Sequence, residues 1–329
     1  MDALTAAGAR LAVTFALSCV ATWLLATTRA RALALDEPNH RSLHQRAIPR
    51  TGGLAIVAAT LSGWLMLDAP LHGVVMGTFI ALCALSLVDD VRSLPVGLRL
   101  IAHLAAAAAA VAVLQPGLPL LLWLGAMLGI AWMTNLYNFM DGSDGLAGGM
   151  AMFGFFFYGW GAWSAGDAGF AAANWAVSAA AAGFLLFNFH PARIFMGDSG
   201  SVPLGFAAAA FGMHGWVERD WPVWFPLLVF SPFIVDATVT LVRRLWLRRR
   251  VWQAHREHYY QRLVQLGWGH ARTALAEYVA MAICGPAGVY ALTADRDAQT
   301  VILGSIAMLY MFAMLATDAA WRTIAGPAE

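Results

Sequence analysis

The chain has 329 residues, of which 60% are hydrophobic and only 12% are charged. A soluble domain of this length would carry about twice that charged fraction, so the composition excludes an ordinary soluble protein and predicts an integral membrane protein. The formal net charge of +1 says little, because the positions of the charges matter more than their sum, and we expect no nucleic acid among the partners.

Hydropathy divides the chain into eleven candidate transmembrane helices, although ten remain an acceptable count. They begin near Leu11, Gly53, Leu71, Leu100, Leu118, Leu146, Phe170, Ser201, Trp221, Thr273 and Thr300. The first is predicted to be a membrane helix and not a cleaved signal peptide, because most of its flanking arginines follow the apolar stretch. The predicted fold class is therefore an all-α integral membrane protein, with residues 1–329 forming one polytopic domain.

The arginines indicate which helix ends face the cytoplasm. With the N-terminus outside, the outer segments carry Arg10, Arg219 and Arg296, whereas the other seventeen of the 20 arginines lie on the opposite face. The positive-inside rule assigns that opposite face to the cytoplasm. The cytoplasmic segments are predicted at 27–52, 89–99, 135–145, 188–200 and 243–272, and they contain almost all of the polar sequence.

Three acid-bearing motifs lie at predicted cytoplasmic helix ends. LVDD supplies Asp89 and Asp90, NLYNFMDGSDGLAGG supplies Asp141 and Asp144, and NFHPARIFMGDSGS supplies Asp198. Any one of them alone is more typical of a helix cap or a turn. Five carboxylates at one membrane face would repel one another unless a cation neutralised them, and Mg²⁺ takes such ligands together with substrate phosphates. We therefore predict a site that needs Mg²⁺, with Mn²⁺ as a substitute.

Glycines accompany two of these motifs. DGSDGLAGG and GDSGS place backbone N–H groups beside the start of the next helix, an arrangement that binds phosphate. One glycine-rich loop is weak evidence, but two such loops beside acids indicate a metal-bound diphosphate.

Two basic segments follow the first and ninth spans. The first supplies His40, Arg41, His44, Arg46 and Arg50. In the second, the arginines of 243–250 are interpreted as anchors for anionic lipid head groups. The stretch HREHYYQRL follows, in which His255 and His258 have the i, i+3 spacing of one helix face. With Arg262 they are candidates to bind sugar and phosphate; a zinc pair is the alternative, although no third soft ligand is near.

Asp236 lies inside the ninth predicted span, seven residues before Arg243. An ionisable residue at such a position is by default a candidate for function. The sequence leaves two interpretations open, an internal ion pair with Arg243 and a direct catalytic role.

The motifs, in this order, resemble those of the polyprenyl-phosphate N-acetylhexosamine-1-phosphate transferases, which form glycosyltransferase family 4. The resemblance covers 36–262, and PNHRSLHQRAIPRTGGLAI and HREHYYQRL are most similar to the O-antigen-initiating branch. It implies a Mg²⁺-dependent enzyme in the bacterial inner membrane that transfers a sugar-1-phosphate from a UDP-sugar donor to undecaprenyl phosphate. Some members of that branch use the 6-deoxy sugars N-acetylfucosamine or N-acetylquinovosamine. The resemblance does not determine the oligomeric state, for which a homodimer is one alternative.

The resemblance also implies roles for individual residues. Asp198 would be the principal Mg²⁺ ligand, with Asp141 near the metal and the diphosphate. Nucleotide contacts would come from Asn138, Asp144, Asn188 and Phe195, with Phe195 stacked on uracil. Sugar and phosphate contacts would come from Arg41, His44, Arg50, His255, His258 and Arg262. Asp89 and Asp90 would lie at the lipid-phosphate end, where a base and an aspartyl-phosphate intermediate both remain open.

One departure from the family narrows the substrate. Relatives that use N-acetylmuramoyl-pentapeptide carry a longer histidine cluster in the last large cytoplasmic loop and a lysine near the second span. This chain has no lysine and lacks the longer cluster, so the pentapeptide is not expected as a substrate. Arg41 and Arg50 are the candidates to replace the lysine.

Two other function classes compete with this interpretation. A transporter or flippase of a polyprenyl-linked or anionic solute would also have many spans and membrane acids. Such proteins place their sites near the bilayer midplane, often within repeats, whereas the acids here are predicted at one face and no repeat is visible. A structural scaffold would leave the acids unexplained.

Overall fold

The computed structural model describes residues 3–36, 47–250 and 255–325. The helices in these residues are α1 (Ala3–Thr27), α2 (Gly52–Met66), α3 (Gly73–Arg92), α4 (Val96–Leu114), α5 (Leu120–Phe139), α6 (Leu146–Ala165), α7 (Ala168–Asn188), α8 (Asp198–Val217), α9 (Trp224–Val229), α10 (Ser231–Trp246), α11 (Tyr259–Leu263), α12 (Gly269–Thr293) and α13 (Arg296–Ala325). Two short strands, β1 (Leu35–Asp36) and β2 (Ile48–Pro49), pair antiparallel. The predicted all-α class is confirmed.

Each of the eleven predicted spans corresponds to a helix or to a broken helix. Within the described ranges, seven helical segments are long and apolar enough to cross a membrane, and α2 is a shorter apolar helix. Large apolar side chains such as Leu121 and Phe312 are exposed, at 81% and 71%. Exposed apolar side chains of this kind are stable against lipid, whose tails are also apolar. The helical backbone needs no water there, because it satisfies its own hydrogen bonds. The protein is a multi-pass membrane protein.

The ninth predicted span is divided into α9 and α10 at Phe230. Pro232 lies in the first turn of α10 and has no N–H group to continue the hydrogen bonding of α9. The hydroxyl of Ser231 donates instead to the Leu228 carbonyl oxygen at 2.6 Å. The break therefore leaves no unpaired carbonyl at Leu228, and α10 can take its own direction.

Helix α8 lies in the centre of the bundle, where α2, α3, α4, α5 and α6 contact it. Nearly all of its side chains are buried. Gly205 allows the close approach of α5, since a Cβ at this position would lie 2.8 Å from the Met133 carbonyl oxygen. Small residues permit such packing between membrane helices. Asp198 is the first residue of α8, so its backbone is fixed by the most buried helix.

Three connecting segments are joined at one end of the bundle by backbone and amide hydrogen bonds. The Phe195 N–H donates to the Pro49 carbonyl at 2.7 Å, and the Gly52 N–H donates to the Phe195 carbonyl at 2.9 Å. The Asn188 side chain accepts from the Gly145 N–H at 3.1 Å and donates to a carbonyl of the α7–α8 loop at 2.9 Å. The segments that follow α1, α5 and α7 are therefore held together beside the start of α8.

Candidate active site

Asp90 connects the first acid motif to the third. Its carboxylate accepts hydrogen bonds from the backbone N–H groups of Asp198 at 3.3 Å and Ser199 at 3.0 Å. These N–H groups belong to the amino end of α8, where they have no intrahelical partner and where the helix dipole favours an anion. Arg50 supplies the balancing charge: its Nε lies 3.7 Å from Asp90 Oδ1, and its guanidinium also donates to the Asp90 carbonyl oxygen.

Asp89 is held by the turn that follows it. Its Oδ1 accepts from the Leu94 N–H at 2.6 Å, and its Oδ2 accepts from Arg99 Nη1 at 2.9 Å. The same nitrogen of Arg99 lies 3.6 Å from Asp198 Oδ2, so Arg99 bridges two of the acid motifs. The sequence analysis did not single out Arg99. The sequence feature that could have identified it is a lone arginine near the start of a mostly apolar helix, close to the LVDD motif.

Asp141 follows α5 and faces the other acids. Loss of solvent raises the pKa of Asp141 well above its ordinary value, and the carboxylates of Asp198 and Asp90 raise it further. A hydrogen bond from the Gly197 N–H acts in the opposite direction. The structure thus brings acids of all three motifs together, and a cation between them would relieve their repulsion.

The two acids predicted to bind metal have the oxygen chemistry that Mg²⁺ needs. Among the described residues, no three His, Cys, Asp or Glu side chains are arranged to enclose a metal ion by themselves. Mg²⁺ commonly takes one or two carboxylates and completes its shell with water and substrate phosphates. The Asp198 side chain is 28% exposed, against 1% for Asp90, so Asp198 keeps carboxylate surface for a ligand. Asp198 with Asp141 fits this requirement.

Gly197 makes the contact between Arg50 and α8 possible. It has φ of +73°, and a Cβ there would lie 2.1 Å from the Arg50 carbonyl oxygen. Gly166 also has positive φ, at +96°, but a Cβ there would meet no atom within 4 Å. Alanine substitutions at both positions would strain the backbone, but only the one at Gly197 would also create a clash. Comparing the two variants therefore isolates the effect of the clash.

Gly197→Ala is expected to lower turnover by more than about tenfold, because the clash would displace Arg50 from Asp90. Gly166→Ala is the matched control and should keep its turnover, although both changes cost roughly 1–2 kcal/mol of backbone strain. Initial rates and apparent melting temperatures of the two variants measure this. Equal turnover in both variants would contradict the assigned contact.

Asp144 faces a different corner, made by histidines that the sequence analysis missed. Its Oδ2 accepts from His190 Nδ1 at 2.6 Å and from the Ala192 N–H at 3.1 Å. His270 Nδ1 lies 2.8 Å from Ser143 Oγ and 4.0 Å from Asp144 Oδ1. The two histidine rings stack, with centroids 5.5 Å apart. No local spacing reveals this pair, because His270 comes from α12, far along the chain.

The side chains predicted to contact the nucleotide differ in how deeply they are buried. Asn188 is buried at 3% exposure, and both ends of its amide join loops, so it lies beneath the site surface. Phe195 is half-buried next to Pro49 and Gly52. Asn138 lines a cavity and accepts from the Ser201 hydroxyl at 2.8 Å. Of these three side chains, Asn138 and Phe195 keep surface for a ligand.

A cavity of about 400 Å³ opens beside the acids, between α3, α4, α5, α10 and the segment before α11. Its polar lining residues are Ser86, Asp89, Arg99, His103, Asn135, Asn138, Asp198, His255, His258 and Gln261. His103 is another residue that the sequence analysis missed; it is buried, and its Nδ1 lies 3.1 Å from Asn135 Oδ1. Its signal was the i, i+4 spacing from Arg99, which places both on one face of α4.

The histidine segment differs from its prediction in where its helix begins and in what Arg262 binds. Helix α11 begins at Tyr259, so His255 and His258 precede the helix and do not share a helix face. Their rings still stack at 4.9 Å, and both line the cavity. Loss of solvent lowers the pKa of His255 to about 4. Arg262 lies beside His258 through its backbone, since its N–H donates to the His258 carbonyl oxygen at 2.9 Å. The residue is only 2% exposed, however, and its guanidinium donates to Asp318 Oδ1 of α13 at 2.7 Å and does not line the cavity.

Asp236 explains where α11 begins. Its two carboxylate oxygens accept from the N–H groups of Tyr259 at 2.9 Å and Tyr260 at 3.0 Å. A carboxylate that satisfies the free N–H groups of a helix start fixes that start. The ion pair considered between Asp236 and Arg243 is not formed, because Arg243 donates to Asp318 at 3.0 Å.

The first basic segment is only partly within the described residues. Arg50 is present and supplies positive charge beside Asp90, as a replacement for the family lysine would. Arg41 and His44, which were predicted to bind sugar or phosphate, lie outside the described residues.

An almost wholly apolar groove of about 450 Å³ adjoins the polar cavity. It runs between α5, α8, α9 and α10, and Ala208 and Leu227 are among its lining residues. Trp132 is the residue that the linings of the groove and the cavity share, so the two spaces lie next to each other. The site therefore combines clustered acids, paired arginines, a polar cavity and an apolar approach.

Comparison with known proteins agrees with these features. A probable undecaprenyl-phosphate N-acetylglucosaminyl 1-phosphate transferase of Bacillus subtilis is 29% identical over 268 residues, which is 75% of this chain and 74% of the relative. A decaprenyl-phosphate N-acetylglucosaminephosphotransferase of Mycobacterium tuberculosis is 27% identical, with 83% and 80% covered. A phospho-N-acetylmuramoyl-pentapeptide-transferase of Moorella thermoacetica is 34% identical, over 52% of each chain.

The model of glycosyl transferase family 4 matches residues 72–215. This stretch contains all three acid motifs and the amino end of α8 around which they gather. The family resemblance inferred from the motifs is confirmed over this stretch, which matches the model of glycosyl transferase family 4.

Proposed function

We propose that the protein transfers an N-acetylhexosamine-1-phosphate from a UDP-sugar to undecaprenyl phosphate and releases UMP. The observation that carries the proposal is the gathering of Asp90 and Asp141 around Asp198, which lines a polar cavity adjoining an apolar groove. The names of the Bacillus and Mycobacterium relatives, which specify a polyprenyl phosphate and N-acetylglucosamine, support it.

The cavity suits the sugar diphosphate of the donor. Its volume of about 400 Å³ lies within the usual range for small-molecule sites. Arg99 stands between the motifs of Asp89 and Asp198 and can donate hydrogen bonds to phosphate oxygens, while Asn135, Asn138 and His258 offer hydrogen bonds to sugar groups. The corner at Asp144 and Phe195 remains for the nucleoside.

The groove suits the lipid acceptor. A polyprenyl chain is hydrocarbon, and burying it in an apolar groove needs no hydrogen-bonding groups from the protein. Because groove and cavity lie on either side of Trp132, a lipid in the groove could bring its phosphate to the acids by passing this side chain. The arginine bias of the same face supports a cytoplasmic site in the inner membrane.

The reaction exchanges one phosphoanhydride bond for another. A phosphate oxygen of undecaprenyl phosphate forms a bond to the β-phosphorus of the UDP-sugar. The bond from that phosphorus to the bridging oxygen breaks, and its electron pair leaves with UMP. No proton is gained or lost overall when the attacking phosphate is already ionised, so the demand on the protein is positioning and charge compensation.

We assign Asp198 and Asp141 to hold Mg²⁺, or Mn²⁺ in its place, which would neutralise the diphosphate. Asp89 and Asp90 already accept hydrogen bonds on both carboxylate oxygens. A carboxylate held in this way is poorly placed to attack phosphorus, which favours direct displacement over an aspartyl-phosphate intermediate. Their part is then to position Arg99, Arg50 and the start of α8.

The identity of the sugar is a finer proposal. N-acetylglucosamine is the sugar in the names of two relatives. The segments most similar to the O-antigen-initiating branch add N-acetylfucosamine and N-acetylquinovosamine as candidates. The product would be the lipid-linked first sugar of a cell-envelope glycan, with O-antigen as the proposed pathway.

Purified protein supplied with undecaprenyl phosphate, Mg²⁺ and a panel of radiolabelled UDP-N-acetylhexosamines is expected to form labelled lipid. EDTA should lower the rate by at least about 10²-fold, since the metal provides most of the charge compensation, and added Mg²⁺ or Mn²⁺ should restore it. Ca²⁺ is a useful comparison, because its larger shell fits such sites differently.

Full turnover in EDTA would overturn the metal assignment. Absence of labelled lipid with every sugar, together with transbilayer movement of a lipid-linked sugar in proteoliposomes, would favour the flippase class instead. The gathering of the acids at one end of the bundle supports the transferase over that alternative.

A further inference from the structure

Asp236 is a membrane-embedded acid that has no role in the proposed transfer reaction. It is 4% exposed within α10 and is surrounded by hydrogen-bond donors. Besides the N–H groups of Tyr259 and Tyr260, it accepts from the Thr240 hydroxyl at 3.1 Å, and its Oδ1 lies 3.3 Å from His258 Nδ1. An acid so placed costs free energy unless it is fully satisfied, and here it is satisfied chiefly by the His258 segment.

The contact with Asp236 restricts the hydrogen bonding of His258. An ionised carboxylate can only accept, so Nδ1 of the imidazole must carry the hydrogen. In the neutral ring, Nε2 then has a lone pair and no hydrogen. His258 lines the cavity, and Nδ1 is engaged with Asp236, so Nε2 is the ring atom left to contact a ligand there.

The ring is also fixed in direction. It stacks with the ring of His255, at 4.9 Å, and with the ring of Tyr260, at 5.8 Å. The Tyr260 hydroxyl donates to the Phe139 carbonyl oxygen at 3.2 Å, at the end of α5. A Cβ on Gly142, next to Asp141, would lie 2.2 Å from that hydroxyl. The element that carries His258 is thus packed directly against the loop that carries Asp141.

We propose that Asp236 is a positioning residue that holds His258 as its Nδ1–H tautomer, so that Nε2 accepts a hydrogen bond from a hydroxyl or acetamido N–H of the donor sugar. The ligand class follows from the chemistry: an unprotonated Nε2 pairs with a donor group, and a phosphate oxygen is not one. The inference rests on the proposed function for its ligand, but the tautomer can be measured without any activity.

The first test is nitrogen NMR of the full chain in nanodiscs, with ¹⁵N-labelled histidine. The His258 signals are those that disappear in His258→Gln. We expect one protonated and one unprotonated ring nitrogen, with the hydrogen on Nδ1. In Asp236→Asn the amide can donate to Nδ1, which should move the hydrogen to Nε2, as occurs when an amide replaces a carboxylate beside a catalytic histidine. A wild-type imidazolium, or a hydrogen on Nε2, would overturn the proposal.

The second test is a double-mutant cycle on kcat/KM. Asp236→Asn should lower it roughly 10- to 100-fold, as expected when an orienting partner is removed, and should leave UMP binding within about twofold. In a His258→Ala background, Asp236→Asn should add less than about threefold. Thr240→Val is the matched control, since it removes another partner of Asp236 without touching His258, and it should stay within about twofold of wild type.

The outcomes separate the two proposals. If Asp236→Asn lowers kcat/KM equally with and without His258, its role is structural and the inference fails. If no UDP-sugar is used but NMR shows the Nδ1–H tautomer and its change in Asp236→Asn, the proposed function fails while the positioning stands. Should Asp236→Asn not fold, the wild-type tautomer alone decides.

Discussion

Asp198→Asn is expected to lower turnover by about 10²- to 10³-fold, the range for loss of one preorganised electrostatic group, while the protein stays folded. The substitution keeps the side-chain shape, and the backbone N–H that Asp90 accepts from is unchanged. It removes the exposed carboxylate that the account assigns to the metal. Initial rates at several Mg²⁺ concentrations should show both a lower maximum and a higher Mg²⁺ requirement.

Asp297→Asn is the control for loss of one negative charge. Asp297 is exposed at the start of α13, at the opposite end of the bundle from the acids. The turnover of the Asp297→Asn variant should therefore equal that of the wild type. Turnover of Asp198→Asn within a few fold of wild type would remove Asp198 from the metal site.

Asp90→Ala is expected to destabilise the protein by about 1–3 kcal/mol, because it leaves two N–H groups of α8 without their acceptor. Arg50 adds less, since its side chain is 32% exposed and its guanidinium still donates to the backbone carbonyl of residue 90. The Asp90 side chain is only 1% exposed, so solvent cannot replace the lost interactions. Apparent melting temperature in detergent measures the effect. Asp90→Asn keeps one accepting oxygen and should lose less stability.

This pair of variants also separates two roles for Asp90. A positioning role predicts that activity falls together with stability. If Asp90→Ala melted like wild type but were inactive, Asp90 would be a catalytic residue, as the family resemblance allowed.

Much of the architecture was predictable because its signals are local. Runs of apolar residues located the spans, and the arginine bias indicated which ends would meet. The acids of LVDD, NLYNFMDGSDGLAGG and GDSGS could be expected together because each stands at a helix end on that face. The break before Pro232 was not predicted, because the ninth apolar run continues through this proline and proline also occurs inside α8 and α12.

The remaining features depend on partners that are distant in sequence. The i, i+3 spacing of His255 and His258 suggested one helix face, but Asp236 captures the N–H groups of Tyr259 and Tyr260 and starts the helix later. Arg262 was expected at the substrate, yet Asp318, 56 residues further on, binds it. No short-range pattern encodes either contact.

The most direct measurement follows the β-phosphate of the donor. UDP-N-acetylglucosamine labelled with ³²P at the β-position, or the sugar nucleotide that the panel identifies, is incubated with the protein, undecaprenyl phosphate and Mg²⁺. The account predicts that the label enters the lipid phase and that UMP forms in equal amount. Label that stays with the nucleotide, as UDP, while the sugar enters the lipid would contradict it, because the protein would then transfer the sugar without its phosphate.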